Sequence, residues 1–257
     1  MKKLDYAIEA LNSMKSYPSE LYVSGNEALL KKVKVSIVGA RKTSKYAREL
    51  THQLSSALSR VGVCVVSGGA MGVDAYAHMG AGSKNTIAVL PCGIELKYPA
   101  VNKNLLTDIE KNGLLLSQFA PNFKATPWSF VVRNELVVAL GDVLVVAEAE
   151  LGSGSMRSIE FALKMNKKIY VFPHRLGESS ATQELLKESK AEVIYDIDTF
   201  VSQFGTLEPT AEVFDEFLEY CKKNPSYEEA LKKFPTRVFE AELSGEIEIR
   251  NAKVYLS

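Results

Sequence analysis

The sequence predicts an α/β protein: an extended Rossmann-like sheet, mostly parallel and with helices on both faces, followed by a small C-terminal domain of winged-helix type. Three observations support this fold class. Short apolar runs alternate with longer helical stretches. The runs are rich in Val, Ile and Leu and lack polar alternation, which is typical of strands buried on both faces. Glycine-rich turns follow several runs, as in open sheets that bind ligands beyond their strand ends.

The predicted core follows residues 1–32, an extension in which we expect one helix and a turn at Tyr17–Glu20. The predicted strands are Val33–Val38, Val63–Val66, Ile87–Leu90, Leu114–Leu116, Val143–Val146, Ile169–Phe172 and Ala191–Ile194. The predicted helices are Tyr46–Ser59, Asp74–Met79, Asn102–Lys111, Glu135–Leu140, Ser155–Met165 and Thr182–Ser189. Because helical stretches separate the strands, the strands are expected to run parallel.

The chain changes character after Gly205–Thr210, whose composition is that of a linker. We therefore predict a core domain at 1–205 and a second domain at 206–257. The second domain is expected to hold three helices and a hairpin, the outline of a small winged helix. The first helix is predicted at Phe214–Lys223, the second begins with a Ser226–Glu229 capping box, and the third spans Thr236–Leu243 and ends at Ser244–Gly245. The strands of the hairpin are predicted at Glu246–Ile249 and Ala252–Leu256.

Composition excludes several classes of protein. The chain has 257 residues, 31 Lys and Arg against 31 Asp and Glu, and 46% hydrophobic residues, which excludes wholesale disorder. The three cysteines form no CxxC pair, so a disulfide framework and a zinc ribbon are not supported and a reducing cytoplasm is expected. No apolar run approaches the roughly 20 residues that span a bilayer, and the N-terminus lacks the apolar stretch of a signal peptide.

Charge is unevenly distributed along this neutral chain. Residues 31–60 hold eight Lys and Arg against one Glu, which makes a local patch suited to a polyanion. Residues 206–257 hold eleven acids against seven Lys and Arg. The second domain therefore has the wrong sign to bind phosphates, and we expect it to contact protein or to regulate.

The turn Gly39–Ser44 directly follows the first predicted strand of the core. Its small residues let backbone amides approach a phosphate, and Arg41 and Lys42 add charge where a helix dipole is already positive. Taken alone, it is equally well interpreted as an ordinary turn with solvated basic residues. It is not a Walker loop, because GxxxxGK[ST] does not occur.

A second turn, Ser67–Asp74, has three glycines within five residues, which favours anion binding over simple packing. Asp74 is interpreted as a helix cap. His78 shares its helix face, but two groups do not make a metal site, and none is expected. A third turn places Cys92 at a strand end, where a buried inert thiol is favoured over a nucleophile because no histidine is adjacent in sequence.

A fourth turn, Gly152–Ser155, opens a helix and offers amides and hydroxyls to an anion. Upstream of it lies Pro127–Asn134. Its aromatic residues next to Arg133 are equally consistent with a clamp for a base or phosphate and with core packing around a paired arginine.

Together these stretches resemble the DprA family, DNA processing protein A, also called Smf. The matching motifs are IVGARK (Ile37–Lys42), SGGAMGVDAYAH (Ser67–His78), AVLPCGIELKYP (Ala88–Pro99), Arg133-Asn134 and DVLVVAEAELGSGS (Asp142–Ser155). The resemblance implies a non-catalytic protein that binds and protects single-stranded DNA and helps to load RecA in natural transformation and recombination. It also implies a homodimer with no metal or cofactor and no membrane contact. The N-terminal helical domain of many members is expected to be absent.

The resemblance also implies a set of DNA-binding residues, in which backbone amides hold phosphates and sequence preference is therefore weak. This set is Gly39, Ala40, Arg41, Lys42, Ser67, Gly68, Gly69, Ala70, Gly72, Arg133, Asn134, Gly152, Ser153, Gly154 and Ser155. The sequence departs from the family pattern at Gln118, Glu135, Arg157 and His174, which leaves the later edge of the site less defined.

Two other functions are compatible with a glycine-rich Rossmann core. One is a nucleoside-monophosphate phosphoribohydrolase of the LOG, or lysine decarboxylase-like, type. Gly152–Ser155 with Glu160 only loosely matches the PGGxGTxxE motif of such enzymes, since the Pro-Gly-Gly and the correctly spaced Glu are missing. The other is a regulator that binds a nucleotide or second messenger without DNA, against which the basic patch argues.

Overall fold

The computed structural model describes residues 1–205, 216–244 and 246–256. The chain divides into two compact units, Met1–Leu207 and Glu208–Ser257. No helix among the described residues is long and apolar enough to cross a membrane.

A nine-stranded sheet forms the centre of the first unit, with the strand order β1-β2-β6-β5-β4-β3-β7-β8-β9. The strands are β1 Lys2–Lys3, β2 Tyr22–Gly25, β3 Lys34–Val38, β4 Cys64–Ser67, β5 Thr86–Val89, β6 Leu114–Ser117, β7 Val143–Val146, β8 Ile169–Val171 and β9 Glu192–Val193. Strands β3 to β9 pair in parallel. β1 and β2 pair antiparallel at one edge. The mostly parallel α/β fold class is thereby confirmed.

Seven α-helices connect and cover these strands. They are α1 Lys45–Arg60, α2 Val73–Ala81, α3 Lys103–Asn112, α4 Pro127–Leu140, α5 Ser155–Lys164, α6 Ser180–Lys187 and α7 Ile197–Val201. Side chains of α1, α2 and α7 share one apolar cluster with β3, whereas those of α4, α5 and α6 belong to another. Within β4, Val65 joins the first cluster and Cys64 and Val66 the second, so both faces of the sheet are buried, as the apolar runs predict.

Two local predictions are wrong. Residues 1–32 hold no α-helix; they form two 3-10 helices, Glu9–Ser13 and Glu27–Lys31, besides β1 and β2. β2 was not predicted because it is short and pairs with β6, about 90 residues away in sequence. Helix α4 also begins earlier than predicted. Its start is fixed by a capping box between Thr126 and Ser129, with proline at the first helical position.

The second unit holds three helices followed by a two-stranded antiparallel hairpin, as the sequence predicts for the residues described. These are α8 Glu216–Cys221, α9 Tyr227–Lys233, α10 Pro235–Ser244, β10 Ile247–Arg250 and β11 Lys253–Leu256. The predicted Ser226–Glu229 capping box is present. The predicted linker after Gly205, the residue Phe214 and the helix-ending Gly245 lie outside the described residues. The winged-helix assignment stays a prediction.

Candidate functional site

The candidate site lies where the strand order of the sheet reverses. After β3 the chain builds β4, β5 and β6 on one side, then returns to place β7 on the other side of β3. The chain therefore leaves β3 and β7 in different directions, and a crevice lies at the carboxyl ends of these two strands. A cavity of about 630 Å³ occupies this position, within the size range of small-molecule sites.

Eleven of the fifteen predicted site residues line this cavity. They are Gly39, Ala40, Arg41, Lys42, Gly68, Ala70, Arg133, Asn134, Ser153, Gly154 and Ser155. The fold thus brings together segments from the turns after β3, β4 and β7 with one face of α4. Nine further residues complete the lining: Val38, Asp74, Pro127, Phe130, Val131, Val137, Glu150, Arg157 and Ser158.

The other four predicted residues, Ser67, Gly69, Gly72 and Gly152, do not line the cavity. Ser67 is fully buried and donates its hydroxyl to the Ile37 carbonyl at 2.7 Å. Gly72 has a φ of +76°, and a Cβ there would lie 2.3 Å from the Ala40 carbonyl oxygen. Gly72 therefore lets the turn after β4 pack against the turn after β3, so its part is structural.

The turn after β4 already holds an anion, the carboxylate of Asp74. The Ala70 amide donates to Asp74 Oδ2 at 3.3 Å, and Nη1 of Arg133 lies 3.7 Å from the same oxygen. Burial raises the pKa of Asp74, with Arg133 and the Ala70 amide acting in the opposite direction. A side chain of the chain itself thus already accepts from the Ala70 amide, and the binding of phosphate by this turn stays a prediction.

Two more carboxylates occupy helix N-termini around the cavity. Glu148 accepts hydrogen bonds from the Thr43 hydroxyl and from both the amide and hydroxyl of Ser44, at the start of α1. Glu150 accepts from the Ser179 amide and from the amide and hydroxyl of Ser180, at the start of α6. These hydrogen bonds, those of Ser180 first, lower the pKa of Glu150. The positive ends of α1 and α6 are thus neutralised internally.

The turn before α5 differs, because no carboxylate contact is described at its glycines. A Cβ at Gly152 or Gly154 would meet no atom within 4 Å. The Ser153 hydroxyl oxygen is buried and has no hydrogen-bond partner among the described residues. Sequence reasoning treated Arg157 only as a departure from the family pattern, yet it lines the cavity from the first turn of α5. Its position directly after the glycine-rich turn is the signal that could have found it.

Cationic and aromatic side chains meet at the cavity. The guanidinium of Arg41 lies over the Phe130 ring, 4.9 Å from its centroid, a favourable cation–π distance. Trp128 is 62% exposed, which contradicts the core-packing interpretation for this residue, and its ring edge contacts Phe119. Arg133 is 4% exposed and paired with Asp74. The stretch from Pro127 therefore combines an exposed aromatic residue with a buried, paired arginine.

Other candidate residues do not support catalysis at this site. Cys92 is fully buried, and burial raises its pKa, the reverse of what a nucleophilic thiolate needs. His78 is fully buried and its Nδ1 contacts the Thr86 hydroxyl at 2.7 Å. Glu160, the carboxylate considered for the phosphoribohydrolase, pairs with Arg157 at 2.9 Å on the exposed side of α5. Among the described residues, no group of three or more His, Cys, Asp or Glu could hold a metal ion.

The departures from the family pattern have different consequences. Glu135 does not line the cavity and accepts a hydrogen bond from the Lys15 amide at 3.3 Å. His174 lies at 2.8 Å from the Ala147 carbonyl oxygen and packs edge-on against Tyr46. Of these substitutions, Arg157 is the one that adds charge to the cavity lining.

A mostly parallel α/β sheet with a cation-lined cavity at its switch point defines the Rossmann-like class of fold, in which this crevice is the usual position of a ligand. The family model described as DNA recombination-mediator protein A matches residues 2–205. The chain therefore belongs to the DNA recombination-mediator protein A family, as the sequence resemblance predicts. The family is named for a mediator of recombination, not for a catalytic activity.

Individual relatives agree with this assignment. The DNA processing protein DprA of Streptococcus pneumoniae is 34% identical over 183 residues, which cover 69% of this chain and 64% of that protein. Protein Smf of Borreliella burgdorferi is 33% identical over 176 residues, which cover 63% of this chain and 56% of that protein. The chain thus spans less than two thirds of the length of these relatives.

Two solved structures share the fold. DNA processing protein A of Helicobacter pylori, whose structure was described for its single-stranded DNA binding mode, superposes with a TM-score of 0.77 at 38% identity. That match covers 79% of this chain and 94% of the other. DprA of Streptococcus pneumoniae gives a TM-score of 0.71 at 30% identity, with 77% of this chain and 71% of the other covered.

Proposed function

We propose that this chain binds single-stranded DNA at the switch-point cavity and acts as a non-catalytic mediator of recombination in the cytoplasm. Its work would be to protect incoming DNA and to help load RecA during natural transformation, as a homodimer and without metal or cofactor. The relatives named DprA and the single-stranded DNA binding of the Helicobacter pylori protein support this function. Two copies of the site on one strand would also raise avidity.

The observation that carries the proposal is the charge and aromatic character of the cavity. Four cationic side chains line it, Arg41, Lys42, Arg133 and Arg157, against the carboxylates of Asp74 and Glu150. Both carboxylates are hydrogen-bonded to backbone amides of the chain itself. Arg41 and Lys42 are exposed and no ion pair is described for them, whereas Arg157 pairs with Glu160 at 2.9 Å. Neutralisation of phosphates by such cations supplies most of the affinity for single strands.

Exposed aromatic residues beside the cavity offer faces on which bases can stack. Trp128 is 62% and Tyr98 44% exposed, and the Tyr98 ring contacts Phe130 edge-on. Stacking on such rings is independent of sequence and contributes roughly 1–3 kcal/mol per base. We therefore place the strand across the carboxyl edge of the sheet, with phosphates near Arg41, Lys42 and Arg157 and bases toward the aromatic residues.

The proposal is tested by fluorescence anisotropy with a labelled oligothymidylate over a range of salt concentrations. We expect submicromolar binding that weakens as salt rises, and Arg41→Ala should lower the salt slope by about one. Lys45→Ala is the matched control, since it removes one positive charge from an 82% exposed side chain outside the cavity lining. Absence of binding at low salt would refute the proposal, and an Arg41→Ala slope equal to that of wild type would remove Arg41 from the site.

We propose further that residues 206–257 form a winged helix that contacts protein, because their acidic balance disfavours DNA. RecA is the partner that the family resemblance suggests. Deletion of residues 206–257 should leave binding of the oligothymidylate unchanged, with circular dichroism used to check the fold of the core. Loss of that binding from a folded core would contradict this role.

A further inference from the structure

The fold divides the basic segment 31–60 between the two ends of the parallel strands. Four of its cations follow the carboxyl end of β3: Arg41, Lys42, Lys45 and Arg48. The other four lie at the amino ends of β3 and β4: Lys31, Lys32, Lys34 and Arg60. The two groups are separated by the length of β3, roughly 16 Å for five residues at about 3.3 Å each. This exceeds the Debye length of about 10 Å at 0.1 M salt, so the cations at the amino end contribute little to the cavity.

Two further cations lie where the next strands of the sheet begin. Lys84 belongs to the 3-10 helix Ser83–Asn85, directly before β5. Lys111 is in the last turn of α3, which leads into β6. Together with three exposed cations before β3 and β4 they form a surface at the amino ends of four adjacent strands. We name it the amino-edge surface, and its members are Lys31, Lys32, Arg60, Lys84 and Lys111.

Hydrogen bonds and close packing connect the segments that carry this surface. Lys32 Nζ donates to Asn85 Oδ1 at 2.8 Å, which joins the start of β3 to that of β5. Asn85 Nδ2 donates to the Ser59 carbonyl oxygen at 3.3 Å, next to Arg60. A Cβ at Gly113 would lie 2.2 Å from the Ser83 carbonyl oxygen, so the end of α3 packs against the segment of Lys84. The cations therefore share one contiguous edge.

The positive charge of the amino-edge surface is not neutralised within the described part of the chain. No ion pair is described for any of its five cations. Asp108 and Asp142 bring negative charge to this edge, and they accept from Asn112 Nδ2 and from the Lys34 amide, each at 2.8 Å. The buried ammonium of Lys34 offsets one of them, because it donates only to the Leu30 and Lys32 carbonyl oxygens.

Compensation of helix dipoles accounts for part of this surface and not for the rest. Arg60 and Lys111 lie in the last turns of α1 and α3, where a cation stabilises the helix C-terminus. Lys31 and Lys84 lie in 3-10 helices of five and three residues. So few aligned peptide units sum to a small dipole. Lys31 and Lys84 therefore have no local partner, and they are the residues on which a test should act.

The composition of the edge indicates which part of a polyanion it can contact. Residues 31–34, 59–63, 83–86 and 111–113 contain no aromatic residue, whereas Trp128 and Tyr98 are exposed beside the cavity. Without aromatic rings the edge cannot stack bases. Lysines on flexible stems bind phosphates as point charges. The ligand chemistry that fits is the phosphate backbone of a nucleic acid, with no contact to its bases.

We propose that the amino-edge surface binds the phosphate backbone of a second DNA segment while a single strand occupies the cavity at the other end of the strands. The inference rests on the proposed function only for the strand in the cavity. One protein molecule would then hold two DNA segments on opposite edges of its sheet, with no sequence preference at the amino edge.

The first test measures binding of a short labelled duplex by fluorescence anisotropy, with the full-length protein free or loaded with one equivalent of unlabelled oligothymidylate. We expect the loaded protein to bind the duplex as well as the free protein does. Lys31→Gln combined with Lys84→Gln should weaken this binding about tenfold at low salt and lower the salt slope by about two. Lys2→Gln combined with Lys3→Gln is the matched control, because it removes the same charge from exposed lysines that pair with Glu27 and Glu20 on β1 and its neighbourhood.

The second test uses the wild-type protein, so it does not depend on the folding of a variant. Acetylation of lysines, located by mass spectrometry, should leave Lys31 and Lys84 reactive when one equivalent of oligothymidylate is bound. Added duplex should protect both lysines and leave Lys2 and Lys3 reactive. A second equivalent of oligothymidylate distinguishes the sources of phosphate: protection by it assigns the surface to the backbone of any DNA, and protection by the duplex alone assigns it to double-stranded DNA.

Three results would overturn the inference. One is release of the duplex by a single equivalent of oligothymidylate, which would show that both use one site. Another is an equal loss of affinity in the two double variants, which would reduce the effect to overall charge. The third is full reactivity of Lys31 and Lys84 with every DNA added. Failure of oligothymidylate to bind would instead refute the proposed function, and the duplex measurements on the free protein would still decide on the amino-edge surface.

Discussion

Two glycine-rich turns with similar composition behave differently in this fold. Both the turn Ser67–Asp74 and the turn Gly152–Ser155 follow a buried parallel strand and open a helix. In the first, the Asp74 carboxylate accepts from the Ala70 amide and pairs with Arg133. In the second, the glycines face open space and the Ser153 hydroxyl has no described partner. A glycine-rich turn thus indicates that backbone amides can bind an anion. Tertiary structure decides whether a carboxylate of the chain itself already occupies them.

The glycines themselves show the same difference. Gly72 and Gly152 have nearly equal φ angles, +76° and +78°. A Cβ at Gly72 would lie 2.3 Å from the Ala40 carbonyl oxygen and 2.5 Å from that of Arg41, whereas a Cβ at Gly152 would contact nothing within 4 Å. The first glycine is needed for close packing of two turns and the second for backbone conformation.

The largest expected effect comes from replacing these two glycines by alanine. Gly72→Ala adds backbone overlap to the strain of a positive φ, so it should lower the free energy of unfolding by about 3 kcal/mol or more. Gly152→Ala carries the conformational strain, and a loss of about 1 kcal/mol is expected. Urea unfolding followed by circular dichroism measures both. Equal losses for the two variants would show that the crowding at Gly72 is relieved by a backbone shift.

The sequence predicted the sheet because buried strands need apolar residues, and these runs are visible locally, as in β7. The family resemblance named eleven of the twenty lining residues, and parallel strands bring the turns among them to one edge. The sequence could not show that Glu148 and Glu150 would neutralise the N-termini of α1 and α6. Glu148 is about 100 residues from Ser44, and the pairing depends on β7 lying beside β3.

The sequence suggests Asp74 as a helix cap, but α2 begins at Val73 with Gly72 at its N-cap and no side-chain cap, so Asp74 lies within the first turn of the helix. Its carboxylate turns back to Ala70, four residues earlier. Helix α4 shows the same limit of local reasoning. The sequence predicts the helix only from Glu135 and leaves the aromatic residues before it equally consistent with a clamp and with core packing. The Thr126 cap and the buried face of α4 show that these residues belong to the helix.

A second, smaller effect distinguishes the buried turn by its response to pH. His78, on the helix that the Ser67–Asp74 turn opens, is fully buried, and desolvation lowers its pKa from 6.5 to about 3. Below pH 6.5 the unfolded chain binds a proton that the folded chain does not, so stability falls as pH decreases from about 6.5 toward 3. The slope is about 1.4 kcal/mol per pH unit, which gives a loss of roughly 2 to 3 kcal/mol between pH 6.5 and 4.5.

The measurement is urea unfolding at several pH values for wild type and His78→Asn, which can keep a hydrogen bond to Thr86 without titrating. The variant should show a flatter dependence in this window, and the difference between the two curves isolates His78 from the carboxylates. His52→Asn, at an exposed position on α1, is the control for replacing a histidine by asparagine. Parallel curves for wild type and His78→Asn would show that His78 gains a proton in the folded state.

The smallest expected effect is the change in DNA affinity when the negative charge of Glu150 is removed. Glu150 lines the cavity, and its carboxylate is held by Ser179 and Ser180 rather than by a cation. Its charge therefore opposes the approach of phosphate. Glu150→Gln removes this charge, so affinity for oligothymidylate should rise by a few-fold at low salt, and the gain should fade near 0.5 M salt as screening increases. Glu178→Gln, a nearby change of equal charge outside the lining, should raise the affinity less.

Because Glu150 contributes to the N-terminus of α6, thermal unfolding of both variants separates a loss of capping from a gain in binding. Equal gains for the two variants would mean that DNA responds to the overall charge of this edge and not to the carboxylate in the cavity.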